Sequence, residues 1–300
     1  MEANHTEHHH HHRHFLQNVN KAFIIGIVFN SLFVITEFIV GYYQSSLALI
    51  SDAGHNLSDV IGLGFSLVAF KMMKVGANDK YTYGLKKFSI LASLLNALLL
   101  IVTTIAIFYE GIQRLGNQDE IQGTVISMVA LVGVFINVSS ALLFLKDKEK
   151  DLNLKGAYLH LLGDALVALG VVVTGVVIYY THWYWLDTVI SFLIAIVLLV
   201  ATWQLLNDSI RLVLDGIPRN INLGKVKEII LNTPEVSGVH HIHIWAISSN
   251  ENAMTAHLVL KENDMLKFES VKQRIKHQLE HINIHHSTFE LEMKDCEEGC

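Results

Sequence analysis

Apolar residues fill the first two-thirds of the chain in long stretches and then give way to shorter runs mixed with polar residues. A helix needs about 20 apolar residues to cross a bilayer. Six stretches reach that length, roughly Ala22 to Tyr43, Leu47 to Met73, Phe88 to Tyr109, Ile121 to Leu145, Gly156 to Tyr180 and Trp183 to Leu206. They predict six transmembrane helices. The third and fourth hold no charged residue. The first holds Glu37, the second Asp52, His55 and Asp59, the fifth His160 and Asp164, and the sixth begins with Asp187. The first stretch is too long for the apolar part of a signal peptide and lacks a small-residue cleavage site, so it reads as a span.

After about Gly216 the pattern changes, and Pro218 marks a break. Leu223 to Leu231 reads as a short helix. Val239 to Ile247 and Ala253 to Leu260 read as strands, with Glu251 and Asn252 in the turn before the second. Phe268 to His281 carries Val271, Ile275 and Leu279 at helical spacing, continued by Ile282, and Thr288 to Met293 reads as a last strand. The order αββαβ predicts a small α+β domain with helices on one face of a sheet. Three parts follow: a His-rich tail over 1–20, a six-helix membrane domain over 21–212 and a cytosolic domain over 213–300.

Composition agrees. Hydrophobic residues make up 51% of the chain and charged residues 17%, against about 25% charged in a soluble domain. An ordinary soluble enzyme and a disordered chain are both excluded. The two cysteines, Cys296 and Cys300, lie at the extreme C-terminus, so no disulfide framework holds the fold. A net charge of −6 excludes a globally basic nucleic-acid binder.

Lysine and arginine set the orientation. The connection after span two carries Lys74, Lys80, Lys86 and Lys87, and that after span four carries Lys146, Lys148, Lys150 and Lys155. Arg211 and Arg219 follow span six, while the other connections hold only Arg114. The basic side is cytoplasmic, so both termini are expected there. Tyr42, Tyr43, Tyr179, Tyr180, Trp183, Tyr184 and Trp185 gather at the opposite interface. The compact loops suit a bacterial inner membrane.

Charged residues cost about 2.5–3.5 kcal/mol each inside a bilayer, so they face a cavity, a partner or an ion. His55 and Asp59 are four apart, which puts them on one helix face. His160 and Asp164 repeat the spacing on span five. If the two spans pack together, two imidazoles and two carboxylates converge. That donor set suits zinc, which takes four nitrogen and oxygen ligands tetrahedrally; magnesium and calcium prefer oxygen alone. Asp52 sits one turn before His55 and reads as a supporting residue or a helix start. Glu37, Asn30, Asn96 and Asn137 read as hydrogen-bonding groups between helices.

The run Ser46-Leu47-Ala48-Leu49-Ile50-Ser51-Asp52-Ala53-Gly54-His55-Asn56-Leu57-Ser58-Asp59 resembles the cation diffusion facilitator family, in its zinc-transporter branch. So do Tyr83-Gly84-Leu85-Lys86-Lys87-Phe88, the His160 to Asp164 segment and Gly238-Val239-His240-His241-Ile242-His243-Ile244-Trp245. The resemblance covers nearly all of the chain after the N-terminal tail. It implies a homodimer of six-span protomers with a ferredoxin-like cytosolic domain, exporting zinc in exchange for protons. It also implies that His240, His257 and His285 match positions that bind regulatory zinc, with Glu292, Cys296 and Cys300 as further ligands. Some relatives carry another metal site between spans two and three. That connection has no histidine here and only Asp79 as a carboxylate, so the site is not carried over.

Zinc and protons compete for the same lone pairs, because binding needs neutral imidazole and ionised carboxylate. The expected partners are therefore zinc, protons and membrane lipid, with no covalent chemistry and no enzyme. Two other classes stand beside this one. A membrane metalloenzyme would need an open coordination position and a general base, and the chain has no His-Glu-x-x-His motif or di-iron pattern. A membrane-bound zinc sensor would need only the tail. Seven histidines in the first 14 residues, His8 to His12 among them, read as a native zinc-collecting tract or as an added tag.

Overall fold

The computed structural model describes residues 28, 30–115, 120–145, 152–261 and 265–292. The chain divides into two compact units, one of residues 1–61 and 99–201 and the other of 62–98 and 202–300. The His-rich tail, Cys296 and Cys300 lie outside the described residues.

Helix α1 covers 30–43. It is followed by α2 (Leu47–Met73), α3 (Phe88–Arg114), α4 (Gly123–Phe144), α5 (Leu152–Thr181) and α6 (Trp185–Val213). Among the described residues four helices are long and apolar enough to cross a membrane: Phe88–Arg114, Gly123–Leu142, Tyr158–Thr181 and Trp185–Val213. Helix α2 is 27 residues long, like α3, but interrupts its apolar sequence with Asp52, His55 and Asp59. Two helices outrun their sequence-predicted ends. Helix α3 runs past Tyr109 through Glu110 and Arg114, which pair at 3.0 Å one turn apart. Helix α6 runs past Leu206 to Val213. An apolar pattern ends where the bilayer ends, whereas backbone hydrogen bonding continues into water.

In the first unit, α2, α4, α5 and α6 share a core of Ala48, Leu49, Ile126, Ala130, Val171, Ile194 and Leu198. Helices α4 and α5 approach closely because glycines face each other. A Cβ added at Gly123 would fall on the Gly175 carbonyl oxygen, and one at Gly175 would meet Ser127. Ser127 Oγ donates to the Val172 carbonyl at 3.0 Å across that seam. Small residues of this kind drive helix association in lipid, where apolar contact alone gives no preference for protein over lipid.

The start of α2 is held by another helix. Asp187 of α6 accepts from Ser46 Oγ at 2.6 Å, Leu47 N at 2.6 Å and Ala48 N at 3.2 Å. Ser46 Oγ in turn accepts from Leu49 N at 3.3 Å. The first amides of a helix lack internal partners and carry its positive dipole end, so they compensate a carboxylate placed there.

In the second unit, α7 (Leu223–Leu231) is capped by Asn222, whose side chain accepts from Lys225 N. Then come β1 (Val236–Ala246), β2 (Asn252–Leu260), α8 (Met265–Glu280) and β3 (Ile284–Glu292). The αββαβ order matches the sequence reading. The sheet runs β1-β2-β3, with β2 antiparallel to β1 and parallel to β3. Val226, Ile230, Met254, Leu258, Val271, Ile275 and Leu279 form its core. The last strand starts at Ile284, not Thr288. Ile284 pairs with Asn252, and His286 with Ala253, so a register shift falls at His285 and breaks the alternation on which the sequence reading relied. Irregularities in β1 after Val236 and after His240 likewise hid its first residues.

The glycine seam is testable. Gly175→Leu should lower the thermal unfolding midpoint of the detergent-purified protein. Gly170→Ala, where a Cβ meets nothing within 4 Å, should not.

Candidate metal centre

The first unit brings together the four membrane residues singled out in sequence. His55 Nε2 lies 3.1 Å from Asp164 Oδ1 and 3.7 Å from Asp59 Oδ2. His160 Nε2 lies 3.4 Å from Asp59 Oδ2 and 3.6 Å from Asp164 Oδ2. Each imidazole meets the carboxylate of its own helix and that of the other. The pairing is reciprocal, 55 with 164 and 59 with 160, as antiparallel helices with the same i, i+4 spacing would give. The two rings stand 6.1 Å apart at 87°, so they are edge to face and their Nε2 atoms both reach the carboxylates.

These spacings have a coordination meaning. Four donors about 2.0–2.2 Å from a tetrahedral zinc are about 3.3–3.6 Å from one another. The four imidazole–carboxylate separations span 3.1 to 3.7 Å. Four of the six edges of such a tetrahedron are therefore matched, with Asp164 presenting Oδ1 to His55 and Oδ2 to His160; His55, Asp59 and Asp164 have ligand atoms within 4.8 Å of one another, and His160 stands just outside that group. His55 Nδ1 is buried without a hydrogen-bond partner, leaving Nε2 as the nitrogen committed to the set. A cavity of about 240 Å³ adjoins it, lined by His55, His160, Asp164, Val167, Ile194 and Leu198 among others. His160 keeps a side-chain exposure of 52%, so the set is reachable from one side.

Asp52 and Glu37 stay outside this set. Asp52 is buried, as is Glu37, whose Oε2 accepts from Asn56 Nδ2 at 3.3 Å. The hydrogen-bonding reading of Glu37 between helices holds. Asp187 was visible in sequence only as the first charge of span six; its role as the cap of α2 needs the tertiary contact.

A second cluster forms on the sheet. His240 and His257 are directly opposed on β1 and β2, and His257 pairs with Glu290 of β3. Glu292 lies two residues on, on the same face. Its Oε2 is 2.8 Å from His240 Nε2 and its Oε1 is 2.5 Å from His257 Nδ1. His257 Nε2 is 3.6 Å from Glu290, a neighbour the sequence reading missed although its even spacing from Glu292 places it on that face. His241 stacks on His257 at 4.7 Å. Desolvation works against ionising Glu292, but the hydrogen bonds from His257 and His240 and the charge of their rings outweigh it and hold its carboxyl below the usual range. His285 is not brought to this cluster. It is exposed at the start of β3, seven residues from Glu292 or about 23 Å of extended chain.

Both clusters, one inside a membrane domain and one on a small appended sheet, offer the nitrogen and oxygen donors that could hold a metal ion. The family model of the cation efflux transmembrane domain matches residues 23–214, and that of the cation efflux protein cytoplasmic domain matches 218–293. The chain belongs to the cation efflux family and is an integral membrane protein. It is 34% identical over 275 residues to a cadmium, cobalt and zinc/H(+)-K(+) antiporter of Bacillus subtilis, covering 91% of this chain and 88% of that one. It is 36% identical to the metal cation efflux system protein CzcD of Cupriavidus metallidurans, covering 92% and 87%. It is 33% identical to the zinc transporter ZitB of Escherichia coli, covering 88% and 84%.

Zinc titration of the full-length protein should separate the two clusters. Glu292→Gln should remove one equivalent of bound zinc per chain and leave the membrane equivalent in place, while His285→Ala should retain both.

Proposed function

We propose that this protein exports zinc from the cytoplasm in exchange for protons, by alternating access of the set His55, Asp59, His160 and Asp164. The observation that carries the reading is the convergence of two imidazoles and two carboxylates inside the membrane domain, with His55, Asp59 and Asp164 close enough to share one ion and His160 beside them. The names of the antiporter and zinc-transporter relatives support the same cargo and exchange.

Metal binding needs both imidazoles neutral and both carboxylates ionised. Facing the cytoplasm, the set takes zinc and releases protons. Facing outward, protons return to His55, His160 or an aspartate and displace the metal. An unperturbed imidazole titrates near pH 6.5, so the exchange lies within reach of a physiological pH gradient. The sign follows: zinc affinity falls as pH drops, because the protonated ring offers no lone pair. Rocking of helices about a fixed site supplies the two states. No bond is made or broken, so the protein is a transporter and not an enzyme.

In this reading α1 and α2 complete six spans, both termini are cytoplasmic, and the membrane is the bacterial inner membrane. The αββαβ unit is a ferredoxin-like domain. The label of its family model, ZT_dimer, supports a homodimer. The His240, His257 and Glu292 cluster binds regulatory zinc, with Cys296 and Cys300 as further ligands, and couples the cytosolic zinc level to transport.

Zinc uptake into sealed proteoliposomes under an imposed pH gradient tests the proposal. Wild type should accumulate zinc, and Asp164→Asn should fall to the level of empty vesicles. Wild-type flux in the variant would remove the site assignment. No flux from either protein, with zinc still bound to the cytosolic cluster, would favour a membrane-bound sensor.

A further inference from the structure

The end of α8 carries a third set of nitrogen and oxygen donors, in the run His277-Gln278-Leu279-Glu280-His281. Val271, Ile275 and Leu279 bury one face of that helix in the domain core. His277 and His281 each stand two residues past one of these positions, about 200° around the helix. Both therefore share the outward face, and both are exposed. Histidines four apart on one helix face are a zinc-binding pair in peptidases, where the order His-x-x-Glu-His also occurs.

The geometry suits a shared ion. The two rings stand 4.9 Å apart at 70°, closer than the 6.1 Å between the imidazoles of the membrane set. Glu280 Oε2 lies 3.9 Å from His277 Nδ1. Lys272 and Arg274 are paired with Glu269 and Glu235, whereas among the described residues Glu280 makes no ion pair with Lys or Arg. Its carboxylate is left to the imidazoles. Ile282 N and Asn283 N bond back to the Leu279 and Glu280 carbonyls, and Asn283, with a φ of 64°, ends the helix. The C-terminal end of a helix is its negative dipole end and favours a cation.

This set cannot share an ion with the cluster on the sheet. Met254, Ala256 and Leu258 of β2 face the same core as α8. His257 alternates with them, so it lies on the other face of the sheet, together with Glu292 and His240. The sheet and the thickness of α8 stand between the two sets.

We propose that His277 and His281 bind a divalent transition-metal ion on the outer face of α8, with Glu280 beside it and the remaining coordination positions open to water. Imidazole nitrogen with carboxylate oxygen selects zinc, copper, nickel or cobalt over magnesium and calcium. The site is open, as a four-ligand structural site is not. It is separate from the membrane set, and the inference holds whether or not the chain exports zinc.

Modification of histidines by diethyl pyrocarbonate, read residue by residue in the full-length protein in detergent, tests this with zinc as the probe. Zinc should protect His277 and His281 together, and copper(II) should do so at lower concentration. Magnesium should protect neither. In His281→Ala, His277 should lose its protection, because two linked donors hold an ion more tightly than one. Both side chains are exposed, so His281→Ala should keep the wild-type unfolding midpoint. Glu292→Gln should leave the protection intact. Modification of His277 unchanged by zinc in wild type would overturn the inference. So would protection that persists in His281→Ala, that is lost in Glu292→Gln, or that magnesium reproduces.

Discussion

A carboxylate removed from water must find a donor, a cation or a proton, and that requirement organises the membrane domain. Each buried acid meets it in its own way. Asp187 takes the amides at the start of α2. Asp59 and Asp164 take imidazoles across the two helices. Glu37 takes the side-chain amide of Asn56 on α2. Because insertion of an uncompensated charge costs about 2.5–3.5 kcal/mol, each of these pairings also fixes which helices are neighbours. The contacts between α1, α2, α5 and α6 are thus specified by polar groups, within a domain whose apolar surface is equally content against lipid.

This explains what could be read from the chain beforehand. The donor set was legible because two His-x-x-x-Asp patterns at helical spacing leave one geometry in which both carboxylates find imidazoles. Helix positions were legible from length and apolarity, but the ends of α3 and α6 were not, since Arg114 and Arg211 continue helices beyond the apolar layer. Asp187 resisted reading for a different reason: its partners are backbone amides about 140 residues away, and amides leave no sequence signature.

In the sheet, the run Ala253 to Leu260 located β2, which is buried along nearly its whole length. Alternation from Val239 to Ile247 found β1 without its first residues, and β3 was likewise read from Thr288 although it starts at Ile284, because bulges near His241 and His285 shift the phase. His241 adopts a left-handed φ of 50° at its bulge. The same irregularity brings consecutive histidines of β1 to one side, so His240 reaches Glu292 while His241 stacks on His257. A regular strand would have put them on opposite faces.

The clamp of Asp187 on the first residues of α2 has a mechanical consequence. A rod pinned at one end moves in proportion to distance from the pin. With about 1.5 Å of rise per residue, a swing of about 10° around Leu47 displaces His55 by about 2 Å and Met73 by about 7 Å. Two ångströms is more than half the separation between donors in the set. A rotation of that size would part His55 from Asp164 while the first turn of α2 stayed on the Asp187 carboxylate. A pin at one end thus makes the same small rotation slight at the donors and large at the opposite end of the helix.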